Sequence, residues 1–232
     1  MIIDYNSFFQ KYQRPPKHQF PVGMMVYKGL QGSGKSLSET KDTFEIKASF
    51  PNCKVFSNML LYGINYTFIK DVKDLREALS FKNGANGVLI VLDEAQNIFN
   101  KKNGVPLEVM AQFCQNRKNR RLILMTTQIW EDLDVMLRKQ IKTVVNCRCV
   151  LGKIQVNTYH DGENLTYDKI KGEYTAPKRF TKIFKHNQKY YDRYDTYEVV
   201  QTNETYDRSL TSGRSSPPTA VNVQLKKGKL NV

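Results

Sequence analysis

The clearest pattern along the chain is a set of short, wholly apolar runs separated by segments of helical period. Val88-Leu89-Ile90-Val91-Leu92 is apolar at every position, and so is Leu122-Ile123-Leu124-Met125, which continues into Thr126. A strand that is apolar on both faces belongs inside a parallel sheet with helices on each side, because only there are both faces removed from water. Met24–Tyr27 and Thr143–Val150 read as two further strands, and Lys54–Ser57 and Tyr66–Lys70 as shorter ones. Helical segments lie between them. The first, Lys35 to Phe50, is stopped by Pro51-Asn52, since proline cannot continue a helix. Val72–Ser80, Pro106 to Asn116 and Asp132–Gln140 follow, and Asn83-Gly84-Ala85-Asn86-Gly87 has the composition of a turn. Strands alternating with helices predict an α/β fold: a central, mostly parallel sheet flanked by helices.

The pattern changes at Gly152. Lys153–Thr158 and Tyr197–Gln201 alternate like half-exposed strands, with tyrosines and lysines between them. The expected organisation is an N-terminal arm (1–21), an α/β core (22–151), a small β-rich C-terminal extension packed on the core (152–208) and a tail (209–232). The tail holds Ser-Gly-Arg-Ser-Ser-Pro-Pro and Lys226-Lys227-Gly228-Lys229. It has little to bury and is expected to be mobile and basic.

Charge narrows the class of partner. Lysine and arginine number 36 against 22 acidic residues, a formal net charge of +14, so the chain attracts polyanions, nucleic acid first and an anionic membrane surface second. The apolar fraction of 40% is enough for a core. Met1 to Phe20 has no continuous apolar stretch of the kind a secretory signal needs, and no apolar run in the chain approaches the ~18 residues of a membrane span. The four cysteines, Cys53, Cys114, Cys147 and Cys149, form no C-x-x-C pair. With His18, His160 and His186 scattered, no zinc constellation is expected, and reduced thiols in a cytosolic setting fit.

The chemistry is concentrated in Gly29-Leu30-Gln31-Gly32-Ser33-Gly34-Lys35-Ser36, which matches G-x-x-x-x-G-K-[ST] in full. A chain wrapping a phosphate needs backbone unobstructed by a Cβ, and the following helix adds its positive end at Lys35 to Leu37. The expected ligand is ATP. Lys35 would reach the β- and γ-phosphates, and the Ser36 hydroxyl would hold Mg²⁺. The run Val88–Leu92 ends in Asp93-Glu94. An acid at the carboxyl end of a central strand suits Mg²⁺ binding by Asp93, and Glu94 is placed to deprotonate a water. Together these predict a P-loop NTPase and resemble the RecA-like, ASCE type. Leu122–Met125 runs into Thr126-Thr127-Gln128, where Gln128 would touch the γ-phosphate or the lytic water. The alternative is a helix-capping Thr127 beside a surface Gln128. Arg117, Arg120 and Arg121 precede that strand, either as a finger supplied to a neighbouring subunit or as a basic turn facing solvent or DNA.

Taken together these elements resemble the FtsK–HerA superfamily of P-loop ATPases: Walker A, a Walker B strand ending in Asp-Glu, then an arginine-bearing helix end leading into a strand that finishes in Thr-Gln. The resemblance covers about Val22 to Val150. Within the superfamily the chain is similar to the genome-packaging ATPases of membrane-containing viruses and to the Zot-like assembly ATPases of filamentous phages. Zot-like proteins usually carry a membrane span after the core, so the lack of one here favours packaging. The resemblance implies a hexameric homo-oligomer with ATP at subunit interfaces, in which Lys35 and Ser36 bind nucleotide and Mg²⁺, Asp93 is the metal acid, Glu94 the base and Gln128 the sensor. Arg117 matches the superfamily's arginine best, with Arg120 and Arg121 as rivals. The superfamily often has a glycine before the strand, and Lys118–Arg121 contains none. The expected function is a motor that translocates DNA, double- or single-stranded, in the host cytoplasm or at a viral capsid or membrane vertex. The alternatives are an ATPase of phage assembly and extrusion, and a small P-loop ATPase that does not act on DNA.

Overall fold

Runs that need both faces covered lie at the centre of one nine-stranded sheet. The structure is a computed structural model and describes residues 19–102, 104–168, 173–195 and 220–221. In chain order the elements are β1 (Gly23–Lys28), α1 (Lys35–Ser49), β2 (Lys54–Ser57), β3 (Leu60–Leu61), β4 (Tyr66–Phe68), α2 (Val72–Ser80), β5 (Val88–Leu92), α3 (Ala95–Ile98), α4 (Leu107–Cys114) and β6 (Arg121–Thr127). They continue with α5 (Val135–Arg138), β7 (Thr143–Val150), β8 (Ile154–Asp161), β9 (Thr166–Asp168), β10 (Glu173–Thr175), β11 (Lys178–Lys185), α6 (Gln188–Tyr191), β12 (Tyr194–Asp195) and β13 (Ala220–Val221).

The sheet order is β11-β8-β7-β1-β6-β5-β2-β4-β13. From β7 to β4 all neighbours are parallel. The C-terminal extension continues this sheet: β8 pairs antiparallel with β7, and β11 antiparallel with β8. Every residue of β5 and β6 is buried. Their side chains alternate between two cores. Val88, Ile90 and Leu92 pack with α2, α4 and α5, while Leu89 and Val91 pack on the α1 side with Tyr27 and Phe44. Each such side chain contributes about 1.5–3 kcal/mol by leaving water. Because β6 lies between β1 and β5, the carboxyl ends of three strands open into one cleft.

Three expectations change in detail. The helix expected over Asp132–Gln140 is a single 3-10 turn (Trp130–Asp132) followed by the four-residue α5. Asp134 interrupts it, because its Oδ1 accepts from the N–H groups of Met136 and Leu137 and so starts a new helix there. The helix from Pro106 is shorter than expected, with Pro106 as its N-cap and Cys114 its last residue. The strand expected at Lys153–Thr158 runs from Ile154 to Asp161. Tyr197–Gln201 lies outside the described residues, as do most of the arm and the tail. Within the tail, Ala220–Val221 pairs antiparallel with Tyr66–Thr67.

Helix α1 is unusual for a buried helix because so much of its buried surface is polar: Ser38, Glu39, Thr40, Asp42 and Thr43 are all buried. The extension provides for part of this surface. Asp42 Oδ2 accepts from the hydroxyls of Tyr27 (2.6 Å) and Tyr159 (3.2 Å), and Lys182 Nζ lies 3.8 Å from Oδ1. Burial, then the Asp42 charge, raises both tyrosine hydroxyls well above their ordinary range. Asp42→Ala should therefore leave two hydroxyls without their charged acceptor and destabilise the fold by about 3 kcal/mol in urea denaturation. A change below about 0.5 kcal/mol would show that this network adds nothing to stability.

Candidate functional site

The phosphate-binding sequence forms a closed turn between β1 and α1. Ser33 N–H donates to Leu30 O (3.1 Å), and Ser38 N–H makes the first α1 bond to Gly34 O (3.0 Å). Gly34 is the N-cap and takes φ 80, ψ 29, a left-handed conformation that glycine adopts without steric cost. The N–H groups of Gly34, Lys35, Ser36 and Leu37 precede any intrahelical acceptor, so the first turn of α1 is a site for an anion. Lys35 is buried, and its Nζ donates to Leu30 O (3.3 Å), which holds the ammonium over the loop.

The acid strand meets this loop directly. Asp93 Oδ1 accepts from Ser36 Oγ (3.0 Å) and from Thr126 Oγ1 (2.5 Å). Its backbone is clamped on both sides by one amide: Asp93 N–H donates to Asn58 Oδ1 (2.7 Å), and Asn58 Nδ2 donates to Asp93 O (2.9 Å). Burial raises the Asp93 carboxyl, the Thr126 and Ser36 hydroxyls and the Lys35 ammonium oppose that, and Glu94 adds to it, leaving a net upward shift. Glu94 has φ 52 and ψ 50, a left-handed backbone that costs a non-glycine residue roughly 1–3 kcal/mol. Its N–H donates to Thr126 Oγ1 (2.8 Å), its Oε1 accepts from Gln128 Nε2 (3.0 Å), and its Oε2 accepts from Gln96 Nε2. The site thus brings together Lys35, Ser36, Asp93, Glu94 and Gln128. Gln128 is exposed but fastened to Glu94, and Thr127 donates its hydroxyl to Ile129 O (3.0 Å) instead of capping a helix.

The three arginines lie elsewhere, at the amino end of β6. Seven strand residues separate the two ends by about 20 Å, so none of the three reaches this chain's own phosphate loop. Arg121 is fully buried, its guanidinium donating to Gln112 O, Gln112 Oε1 and Asn116 Oδ1, and burial lowers it to about 10. A side chain held this way is not presented to a neighbouring subunit, which corrects its place among the rivals and leaves Arg117 and Arg120. Arg120 has φ 46. It takes the left-handed turn that leads into β6.

Several residues at the site carry no motif. Asn58 is a single polar residue after a short strand. Gln155, fully buried on β8, donates from Nε2 to Ser33 O (2.9 Å). Glu39 on α1 is also fully buried, with both carboxyl oxygens unpartnered, and burial followed by the charges of Asp93 and Glu94 raises it well above the carboxylate range. A glutamate one turn past Ser36 on a polar helix is the only sequence signal for it. Ser36 and Asp93 supply hard oxygen donors side by side, which suits Mg²⁺ beside phosphates. Among the described residues no group of three or more His, Cys, Asp or Glu side chains could hold a metal by itself, and no helix is long and apolar enough to cross a membrane. The arrangement is that of a P-loop ATPase.

The zonular occludens toxin (Zot) family model matches residues 24–196. The chain is similar in fold to the N-terminal domain of zonular occludens toxin from Neisseria meningitidis, with 21% identity, a TM-score of 0.56, and coverage of 75% of this chain and 98% of that one. It is also similar in fold to the genome packaging NTPase of Sulfolobus turreted icosahedral virus 2, solved with ATP-gammaS, with 13% identity, a TM-score of 0.50, and coverage of 66% and 95%. No curated protein matches the chain. Of the two resemblances within the superfamily, the family match falls on the Zot-like one.

Glu39 gives a prediction with a definite sign. A carboxyl raised in the folded state binds more protons there than when unfolded, so stability is lost as pH rises above its ordinary value of 4.5 toward its folded value. Glu39→Gln removes that loss. Its melting temperature should exceed the wild type's by more at pH 8 than at pH 5, and an offset that is equal or reversed would show that Glu39 is not held in its neutral form.

Proposed function

The chain belongs to the Zot family, and from that premise we propose that it is an ATP-driven motor of virus or phage assembly that acts on the DNA genome. The observation that carries the reading is the junction of Ser36, Asp93 and Thr126 beside Glu94 and Gln128, at the carboxyl ends of β1, β5 and β6. The first turn of α1 and Lys35 would hold the phosphates of ATP, and Ser36 with Asp93 would hold Mg²⁺. Bound there, the ion would offset charge building up on the transferring phosphoryl group. Glu94 orients and deprotonates the attacking water, and Gln128 fixes the Glu94 carboxylate through its hydrogen bond. A kinase has no use for a base aimed at water, which favours hydrolysis.

The distance from the arginines to this chain's own loop favours an oligomer, with Arg117 or Arg120 serving the phosphates of a neighbour. A hexameric ring in the host cytoplasm, at a capsid or membrane vertex, is the form we infer from the superfamily resemblance. The net charge of +14 favours DNA as the moved polymer. The second reading is phage assembly or extrusion driven by the same hydrolysis without a grip on DNA, and the family match favours keeping it.

Two measurements test the catalytic roles. Glu94→Gln should bind Mg·ATP yet turn over about 100-fold more slowly or worse, as general-base loss requires. Arg117→Ala should bind ATP normally and hydrolyse about 10³-fold more slowly. Mixing the two inactive variants should restore part of the activity, because a mixed interface pairs an intact base with an intact arginine. No rescue, with a protein that stays monomeric with ATP and DNA, would contradict the oligomer.

The DNA reading rests on phosphate contacts, which carry sequence-independent affinity. Filter binding with two unrelated duplexes should show little preference and a log–log salt slope of about −0.9 per phosphate neutralised. Salt-independent binding, or no binding, would favour the second reading.

A further inference from the structure

The extension does more than cover α1. We propose that Gln155, supported by His186, is a positioning residue that locks the Ser33–Gly34 peptide so that Gly34 N–H faces the bound phosphates. The proposal rests on the nucleotide-binding reading of the loop.

The argument begins with peptide geometry. No peptide bond in the described chain is cis, and in a trans peptide the C=O and the following N–H point in opposite directions. Whatever holds Ser33 O on one side therefore aims Gly34 N–H at the other. Gln155 Nε2 donates to Ser33 O at 2.9 Å from the β8 side of the loop. Gly34 N–H thus points away from β8, into the turn that Lys35 Nζ spans toward Leu30 O. Glycine turns are prone to peptide flips because φ and ψ on either side are lightly restrained, so a fixed acceptor direction has to be imposed from outside the loop.

The orientation of Gln155 is determined by its surroundings. Its Nε2 serves two acceptors, Ser33 O and Asn157 Oδ1 (2.8 Å), and its Oε1 lies 3.1 Å from His186 Nε2. The carbonyl of Ser33 cannot donate, so the amide cannot be reversed. His186 must then carry its proton on Nε2, with Nδ1 accepting from Tyr191 OH at 2.7 Å. His186 is itself anchored, its N–H donating to Lys153 O (2.8 Å) in the β7–β8 turn. Packing at Gly34 is equally tight: a Cβ there would lie 2.0 Å from Gln155 Oε1. The left-handed φ of the last loop glycine favours glycine, and a Cβ there would displace the Gln155 amide from its bonds.

The role predicts a kinetic signature separable from folding. Gly34 N–H would contact phosphate in both the ground and the transition state, so loss of its orientation should raise KM and leave kcat within about threefold. The probe is a fluorescent N-methylanthraniloyl ATP with Mg²⁺, measured alongside steady-state hydrolysis of ATP and melting without nucleotide. Gln155→Leu should weaken probe binding about tenfold or more, the scale of one lost charge-assisted hydrogen bond. His186→Asn, which keeps Gln155 in place but removes its support, should weaken it about threefold and provides the test should Gln155→Leu fail to fold. Tyr159→Phe, on the same buried face of β8 but away from the loop, should lower the melting temperature while leaving binding within about twofold. Variants of Gln155 and His186 that bind like wild type, or a kcat loss without a KM change, would overturn the positioning role. A wild-type protein that does not bind the probe would instead overturn the nucleotide-site reading, and the proposal with it.

Discussion

The Asp93 carboxylate is a point of convergence for three segments far apart in sequence. One of its oxygens accepts the Ser36 hydroxyl from the start of α1 and the Thr126 hydroxyl from the end of β6, and its own backbone is held by Asn58 beyond β2. For these groups to meet, β6 has to lie between β1 and β5, with β2 on the far side, and the sheet has that order. The fully buried β5 and β6 are what keep the strands there. The helices over both faces follow from the need to remove those faces from water.

A site assembled this way carries local costs that the surrounding fold must offset. Glu94 sits in a left-handed backbone conformation, and Glu39 is buried without a hydrogen-bond partner close to two other acids. Neither would persist in a marginal fold, since each opposes folding on its own. Two separate cores, one on each side of the sheet, supply the compensation. The C-terminal strands add polar partners for α1 through Tyr159 and Lys182, so the extension completes the helix that carries Lys35 and Ser36.

Parts of this were legible in the sequence because local chemistry fixes them. The loop from Gly29 to Ser36 needs nearly every one of its residue types to hold a phosphate, and a run such as Val88–Leu92 has only one comfortable place in an α/β sheet. Other parts depend on contacts that no spacing reveals. Gln155 meets Ser33 across 122 positions, and Asn58 meets Asp93 across 35. Asn58 is a single amide just past β2, and Gln155 sits on β8 with nothing in its spacing to mark it. Arg120 occupies a positive-φ position without being glycine, and Asp134 breaks a helix that hydrophobic period alone would continue. The resemblance put Arg117 first with Arg120 and Arg121 as rivals, and only burial sets Arg121 apart. The resemblance to solved structures at 21% and 13% identity supports the fold and leaves these side-chain particulars to this chain.

The central claim is that the Ser36–Asp93 junction is the metal-and-phosphate end of an ATP site. A crystal structure with Mg²⁺ and a non-hydrolysable ATP analogue tests it most directly. The account predicts phosphates on the first turn of α1, the ion on Ser36 Oγ with Asp93 at its edge, and Glu94 and Gln128 facing the γ-phosphate. Nucleotide bound at any other surface, or phosphates in the loop with the ion away from both Ser36 and Asp93, would contradict it.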